Sequence, residues 1–188
     1  MVRRAMAQAI TTALFTGAEP YLRQVRERQD APAAASSTGP GRRCVAVYRS
    51  LPTEPPTDDL IAALTSAGIP LIEPHLMADK DLSWHRLGTT GQPIEPLLPP
   101  EAIGDALVIV TPALSVDVNG TRLGQGGGSY DRALARAASE ACIVAIVFDT
   151  EWTSDALPAE AHDHRVHAVI TPGRGWRSLP QPPVEPPN

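Results

Sequence analysis

Apolar residues fall in short blocks along this chain, and the spacing within each block predicts its structure. Ala106–Val110 and Ala141–Phe148 are unbroken apolar runs, the second carrying Ile143, Val144, Ile146 and Val147. Runs this short and this β-branched predict strands covered on both faces. Cys44–Tyr48, Ile69–Ile72 and Ala168–Thr171 read as further strands, and Trp84 sits on another within D-L-S-W-H-R-L. Helical spacing marks two other segments. Met6, Ile10 and Leu14 recur at i, i+4 and i+8, which predicts a packed N-terminal helix. Asp58–Ala67 turns Leu60, Ile61 and Leu64 inward and stops at Gly68. Thr150–Leu157 predicts one or two helical turns. Gly88–Pro100 predicts a loop, with Glu101–Asp105 leading back into a strand. The order strand, loop, helix, strand implies parallel pairing, and hence a single α/β domain built as a three-layer, mostly parallel open sheet.

The stretch from Asp105 to Arg132 concentrates the candidate chemistry. After the apolar run comes a second short piece, Ala113–Val118, with one acid, Asp117, and then an Asn119-Gly120 turn. Arg122 and Leu123 lead into four glycines within five residues, Gly124, Gly126, Gly127 and Gly128, interrupted by Gln125. Ser129 is placed to cap a helix running from Tyr130 through Ala138. A strand, a glycine loop and a helix start are the parts of a phosphate cradle, because glycine lets backbone N–H groups approach an anion. The spacing matches neither G-x-x-x-x-G-K-[ST] nor G-x-G-x-x-G, and a plain tight turn is the competing account. Arg122 as a phosphate fork and Asp131 as a carboxylate for Mg²⁺ favour a nucleotide phosphate.

Composition narrows the field modestly. With 188 residues, the chain suits one domain with a substantial core. A net charge of −5 offers no electrostatic footprint for nucleic acid, and no apolar run reaches transmembrane length. Cys44 and Cys142 each lie in an apolar run and read as buried strand residues, in keeping with the cytoplasm. His75 and His85 lack partners at metal-ligand spacing, and a zinc site at His162-Asp163-His164 would need a further ligand. Arg23, Arg26 and Arg28 form a basic helical face, either solvated or turned toward a nucleotide. Residues 31–41 read as a flexible linker and 180–188 as a disordered Pro-rich tail, leaving 1–179 as the folded unit.

The run V-T-P-A-L-S-V-D-V-N-G-T-R-L-G-Q-G-G-G-S-Y-D-R resembles the signature of the 5-formyltetrahydrofolate cyclo-ligase family. Y-R-S-L-P-T-E-P-P-T, from Tyr48 to Thr57, and L-P-A-E-A-H-D, from Leu157 to Asp163, are similar to two further family pieces, in the same order. The resemblance implies a Rossmann-like sheet and an enzyme that uses ATP and Mg²⁺ to turn 5-formyltetrahydrofolate into 5,10-methenyltetrahydrofolate through a phosphorylated formyl group. It implies Arg122 and Tyr130 as catalytic, and Arg122, Gly124, Gln125, Gly126, Gly127, Gly128, Ser129 and Tyr130 as ATP-binding. Asp131 and Asp163 would hold the metal. Arg49, Glu54, Trp84, Gly127 and Ser129 would contact folate, with Glu54 facing its amino-pyrimidine edge. L-R-Q-V-R-E-R, from Leu22 to Arg28, is similar to the family's basic N-terminal start, yet lies too close to Cys44 for the usual second helix. Arg3 and Arg4 are therefore expected to serve ATP instead. The expected partners are small molecules, with the protein a monomer or weak dimer. Two alternatives remain at this point: a folate- or nucleotide-binding relative without turnover, and a different enzyme on a similar scaffold.

Overall fold

A computed structural model describes residues 1–29, 43–160 and 163–181, without the side chains of 28 and 29. The expected linker lies outside the described residues, as does all but the start of the expected tail. Four α-helices occur among the described residues: α1 (Val2–Gly17), α2 (Glu19–Gln29), α3 (Asp58–Ser66) and α4 (Ser129–Leu134), with a 3-10 helix at Pro100–Asp105. The strands are β1 (Cys44–Ala46), β2 (Leu71–Leu76), β3 (Leu82–Leu87), β4 (Pro93–Leu98), β5 (Ala106–Pro112), β6 (Ser115–Asp117), β7 (Arg122–Leu123), β8 (Cys142–Ile146), β9 (Trp152–Thr153), β10 (Ala168–Thr171) and β11 (Gly175–Ser178).

Eight strands form one sheet in the order β11-β10-β8-β5-β1-β2-β3-β4. The pairs β1–β2, β1–β5, β5–β8 and β8–β10 are parallel, whereas β2–β3, β3–β4 and β10–β11 are antiparallel. Alternate residues of the central strands enter two separate cores. Val45, Val108, Val110, Val144 and Ile170 pack with Ile10, Leu14, Leu22, Val25, Leu60 and Leu64 of α1–α3. Ala46, Ile109, Ile143, Ala145 and Val169 pack on the other face with Trp84, Ile103, Ala133 and Leu134. That two-sided cover is the three-layer arrangement, and it explains why the strand sequences are apolar without alternation. The inward stripe on α1 is Ala7, Ile10, Ala13 and Leu14.

Several local expectations give way to pairing. Gly88–Pro100 is not all loop, because β4 adds to β3 there. Its Pro93 and Pro96 cannot donate to a ladder, which suits an outer strand and hid it in the sequence. Thr150–Leu157 is not helical. Trp152 and Thr153 pair in parallel with Val116 and Asp117, and that ladder outweighs local propensity. α4 ends at Leu134 and not at Ala138, since the chain must turn back into β8. Gly128 in the left-handed conformation, and not Ser129, stands at the N-cap of α4.

The topology places a crevice. From β1 the chain moves through α3 to β2 on one side, and β5, β8 and β10 then fill the other side. The strand order therefore reverses between β1 and β5. In open α/β sheets, ligands bind outside the carboxyl ends of the strands at such a reversal.

Candidate active site

The loop leaving β1 is fixed by Thr57, which is fully buried. Its hydroxyl donates to the Tyr48 carbonyl at 2.7 Å and accepts from the Ser50 N–H at 3.0 Å, while its own N–H donates to Ser50 Oγ at 3.2 Å. These bonds account for the Ser and Thr of the motif, whereas Tyr48 contributes only its backbone carbonyl. Glu54 Oε2 accepts from the Leu51 N–H at 2.8 Å, so one carboxylate oxygen braces the loop and Oε1 is left over for a ligand. Arg3, at the start of α1, donates to the carbonyls of Pro52 at 3.0 Å and Glu54 at 3.4 Å. The expected Arg3 thus reaches the Glu54 loop, whereas Arg4 is exposed on the same helical turn. Arg49 pairs with Glu73 of β2 at 3.0 Å and donates to the Gly91 carbonyl.

Across the crevice, β5 leads into the β6–β7 hairpin. Asp117, buried at its corner, accepts three backbone N–H bonds, from Asn119 at 2.9 Å, Thr121 at 2.8 Å and Leu157 at 3.1 Å. Burial pushes its carboxyl up, but those donors together hold it below the ordinary carboxylate range. Arg122 emerges from this hairpin almost fully buried. Its Nη2 meets Asp131 Oδ1 at 2.6 Å, and its guanidinium lies 5.7 Å from the centre of the Tyr130 ring. Arg122 Nε is buried with no hydrogen-bond partner among the described residues. A Cβ on Gly124 would sit 3.0 Å from Arg122 Nη1, so glycine there admits the guanidinium against the backbone. Burial pushes the Tyr130 hydroxyl up, with Arg122 pulling the other way.

Gln125, Gly126 and Gly127 are exposed, and Gly128, Ser129 and Tyr130 are partly so. Two arginines of this segment moor it to the β2–β3 turn. Arg132 donates to the Lys80 carbonyl at 2.6 Å, and Arg136 forms two bonds to Asp81 at 3.0 and 2.7 Å. Arg136 holds the Asp81 carboxyl below its usual range. Glycine loop, Arg122, Asp131, Tyr130, Glu54 and Arg3 therefore come from the segments that follow β1 and β5, together with the start of α1.

Other expected residues lie elsewhere. Trp84 is 1% exposed, packs in the core beneath α4 and donates Nε1 to the Pro100 carbonyl at 3.2 Å. It is a core residue and not a stacking platform, the role that the family resemblance implied. Asp163 accepts from the Glu160 N–H at 2.7 Å and lines a 430 Å³ cavity beyond the end of α4, with His164, His167 and Ala138. Asp131 does not line that cavity. No group of three His, Cys, Asp or Glu suited to a metal occurs among the described residues, and His162 lies outside them. His75 and His85 face each other, Nδ1 to Nε2 at 3.3 Å. Arg23 and Arg26 are exposed on α2. Cys44 and Cys142 are free and buried, and burial pushes their thiols up to about 12 and about 11. Tyr48 and Asp117 carried no functional expectation. Their signal was a polar atom inside apolar sequence, which composition cannot separate from ordinary core.

Comparison with known proteins completes the description. The model of the 5-formyltetrahydrofolate cyclo-ligase family matches residues 22–172. A 5-formyltetrahydrofolate cyclo-ligase of Mycolicibacterium smegmatis is 40% identical over 151 residues, covering 73% of this chain and 77% of its own. One from Escherichia coli K12 is 28% identical over 148 residues, covering 70% and 79%. The NMR structure of Aquifex aeolicus 5,10-methenyltetrahydrofolate synthetase superposes with a TM-score of 0.57 at 23% identity, over 97% of this chain and 95% of that one. The 5,10-methenyltetrahydrofolate synthetase of Mycoplasma pneumoniae gives 0.54 at 17% identity, over 90% and 98%.

Proposed function

Since the chain belongs to the 5-formyltetrahydrofolate cyclo-ligase family, we propose that it converts 5-formyltetrahydrofolate to 5,10-methenyltetrahydrofolate with ATP and Mg²⁺ in the crevice between β1 and β5. The formyl oxygen is a poor leaving group. Transfer of the γ-phosphoryl group to it, with release of ADP, makes it a good one. N10 then attacks the formyl carbon and gives up its proton to solvent, and the C–O bond breaks to release phosphate. Phosphoryl transfer of this kind depends on positioning and charge neutralisation more than on a protein nucleophile.

The observation that carries this reading is the pairing of buried Arg122 with partly exposed Asp131 at 2.6 Å, beside an exposed run of glycines. Arg122 supplies a fixed positive charge for transferring phosphate oxygens, and its unpartnered Nε is an available donor. The backbone of Gly124, Gln125, Gly126, Gly127, Gly128 and Ser129 lines the phosphate side, and Tyr130 shapes the wall. Arg3 serves the nucleotide from α1, while Glu54 meets the amino-pyrimidine of folate. Mg²⁺ ordinarily takes one or two carboxylates and completes its shell with phosphate and water. Asp131 fits that need with Oδ2, Oδ1 being engaged by Arg122. Asp163, bonded within its own loop beside a different cavity, is not part of the metal set we propose. Two free, buried cysteines accord with work in a reducing cytoplasm. No helix among the described residues is long and apolar enough to cross a membrane.

The test follows the ultraviolet absorbance of the methenyl product from 5-formyltetrahydrofolate. Product should require both ATP and Mg²⁺ and should vanish in Asp131→Asn. Binding of ATP or folate without any product would overturn the catalytic reading.

A further inference from the structure

Tyr48 ends two residues beyond β1, at the mouth of the β1–β5 crevice, and is 4% exposed. Its backbone is committed to the Thr57 bond, and its ring packs in the helical-side core. The hydroxyl oxygen, however, is buried with no hydrogen-bond partner among the described residues. Buried polar groups are paired in the great majority of cases, so an orphan at a ligand crevice calls for a partner that arrives with the ligand. We propose that the Tyr48 hydroxyl donates a hydrogen bond to a carbonyl oxygen of bound 5-formyltetrahydrofolate. This rests on the proposed function above.

Three observations support the assignment. The phenol lies within electrostatic reach of Glu54 and Tyr130, two side chains of the candidate site, and of Glu151. A phenol of ordinary pKa, about 10, is already a donor at neutral pH, and burial, with Glu54, Tyr130 and Glu151 nearby, shifts it further the same way. Finally, donor and acceptor are complementary. Glu54 offers only acceptors and suits the N–H edge of an amino-pyrimidine, whereas the neighbouring carbonyl of the same ring needs a donor. Glu54 and Tyr48 together supply one of each.

Tyr48→Phe keeps the ring and removes only the hydroxyl. Calorimetry on the full chain would measure 5-formyltetrahydrofolate and ATP binding separately, alongside steady-state kinetics and thermal unfolding. The folate Kd and KM should each rise about tenfold, the cost of one unmatched buried hydrogen bond. The ATP Kd should stay as in wild type and the Tm should hold or rise, because the orphan hydroxyl gives the free fold no bond and its removal relieves a desolvation cost. Folate affinity within twofold of wild type would overturn the assignment while leaving the proposed function intact. So would a Tm lower by several degrees, or a loss confined to ATP, since either gives the hydroxyl another role. Wild-type protein that binds neither ligand would overturn the proposed function, and this inference with it.

Discussion

The β6–β7 hairpin and the glycine loop that follows it are adjacent in sequence and opposite in character. In the hairpin, the one buried carboxylate is saturated: Asp117 holds backbone N–H groups of Asn119, Thr121 and Leu157. Both oxygens are engaged by backbone, and the bonds tie the corner to the Leu157 loop 40 residues away. In the glycine loop the backbone is exposed, Arg122 keeps one unpartnered N–H, and Asp131 meets Arg122 through Oδ1. Two acids of one motif therefore do different work. Saturation marks a residue that holds the fold, and spare bonding capacity marks one that awaits a ligand.

If that division is right, substitutions on the two sides should separate activity from stability. The largest effect is expected at Arg122→Ala, which should lower kcat/KM about 10²–10³-fold, the usual loss when a positioned donor for developing charge is removed. Arg122→Lys should rescue little, because a point charge cannot hold Asp131 and lie against Tyr130 in the same geometry. Steady-state kinetics decide this, with circular dichroism to show that both variants fold. A mild kinetic loss with a large fall in Tm would move Arg122 to the structural side.

Asp117→Ala is the converse case. It leaves the Thr121 N–H unpaired inside the protein and those of Asn119 and Leu157 unpaired nearer the surface, at up to about 1 kcal/mol each, or about 3 kcal/mol together. For a chain of this size, that lowers Tm by roughly 6–12 °C. The direction of the Asp117 shift also sets its pH window. Its folded pKa lies below the unfolded value, so its stabilisation is present above about pH 3.9 and fades as pH falls through the folded value. Differential scanning calorimetry of both proteins at neutral pH checks the first claim. Activity of Asp117→Ala measured well below its Tm should remain close to wild type. A smaller cost follows at Gly128→Ala. The backbone φ of +64° there disfavours a side chain by about 1 kcal/mol, and Tm should drop by roughly 2–4 °C.

The same contrast governs what the chain disclosed as sequence. Central strands were legible because burial on both faces leaves an unbroken apolar run, as at Ala106–Val110. The Arg122-to-Asp131 motif was legible because glycine spacing reflects backbone needs directly. β4 was hidden because an outer strand tolerates Pro93 and Pro96, and β9 because its identity comes from pairing with β6, a partner 36 residues earlier. Trp84 shows the limit of residue type: an indole suits a core and a stacking platform equally, and only its 1% exposure distinguishes them. Asp131 and Asp163 are a similar case. Both are acids in matching motifs, but motifs do not encode which cavity an acid lines.

The smallest effect sharpens the structural side at a third residue. His167 Nδ1 accepts the Ile143 N–H at 2.9 Å, and the His167 N–H donates to the Ile143 carbonyl at 2.8 Å, so the side chain completes a bridge between β8 and the segment entering β10. The accepting nitrogen must be unprotonated, and burial lowers the pKa from its ordinary value. In the unfolded chain the ring takes up a proton near pH 6.5. The unfolded state therefore binds more protons as pH falls, and stability is lost between about 6.5 and the lower folded value. His167→Asn keeps an acceptor in nearly the same place and removes the titration. Urea midpoints at pH 7.5 and pH 5.5 should fall less in this variant than in wild type, with the two proteins similar at the higher pH. Equal falls would show that the imidazole is not held neutral by the Ile143 bond, and the saturated side of the comparison would lose a member.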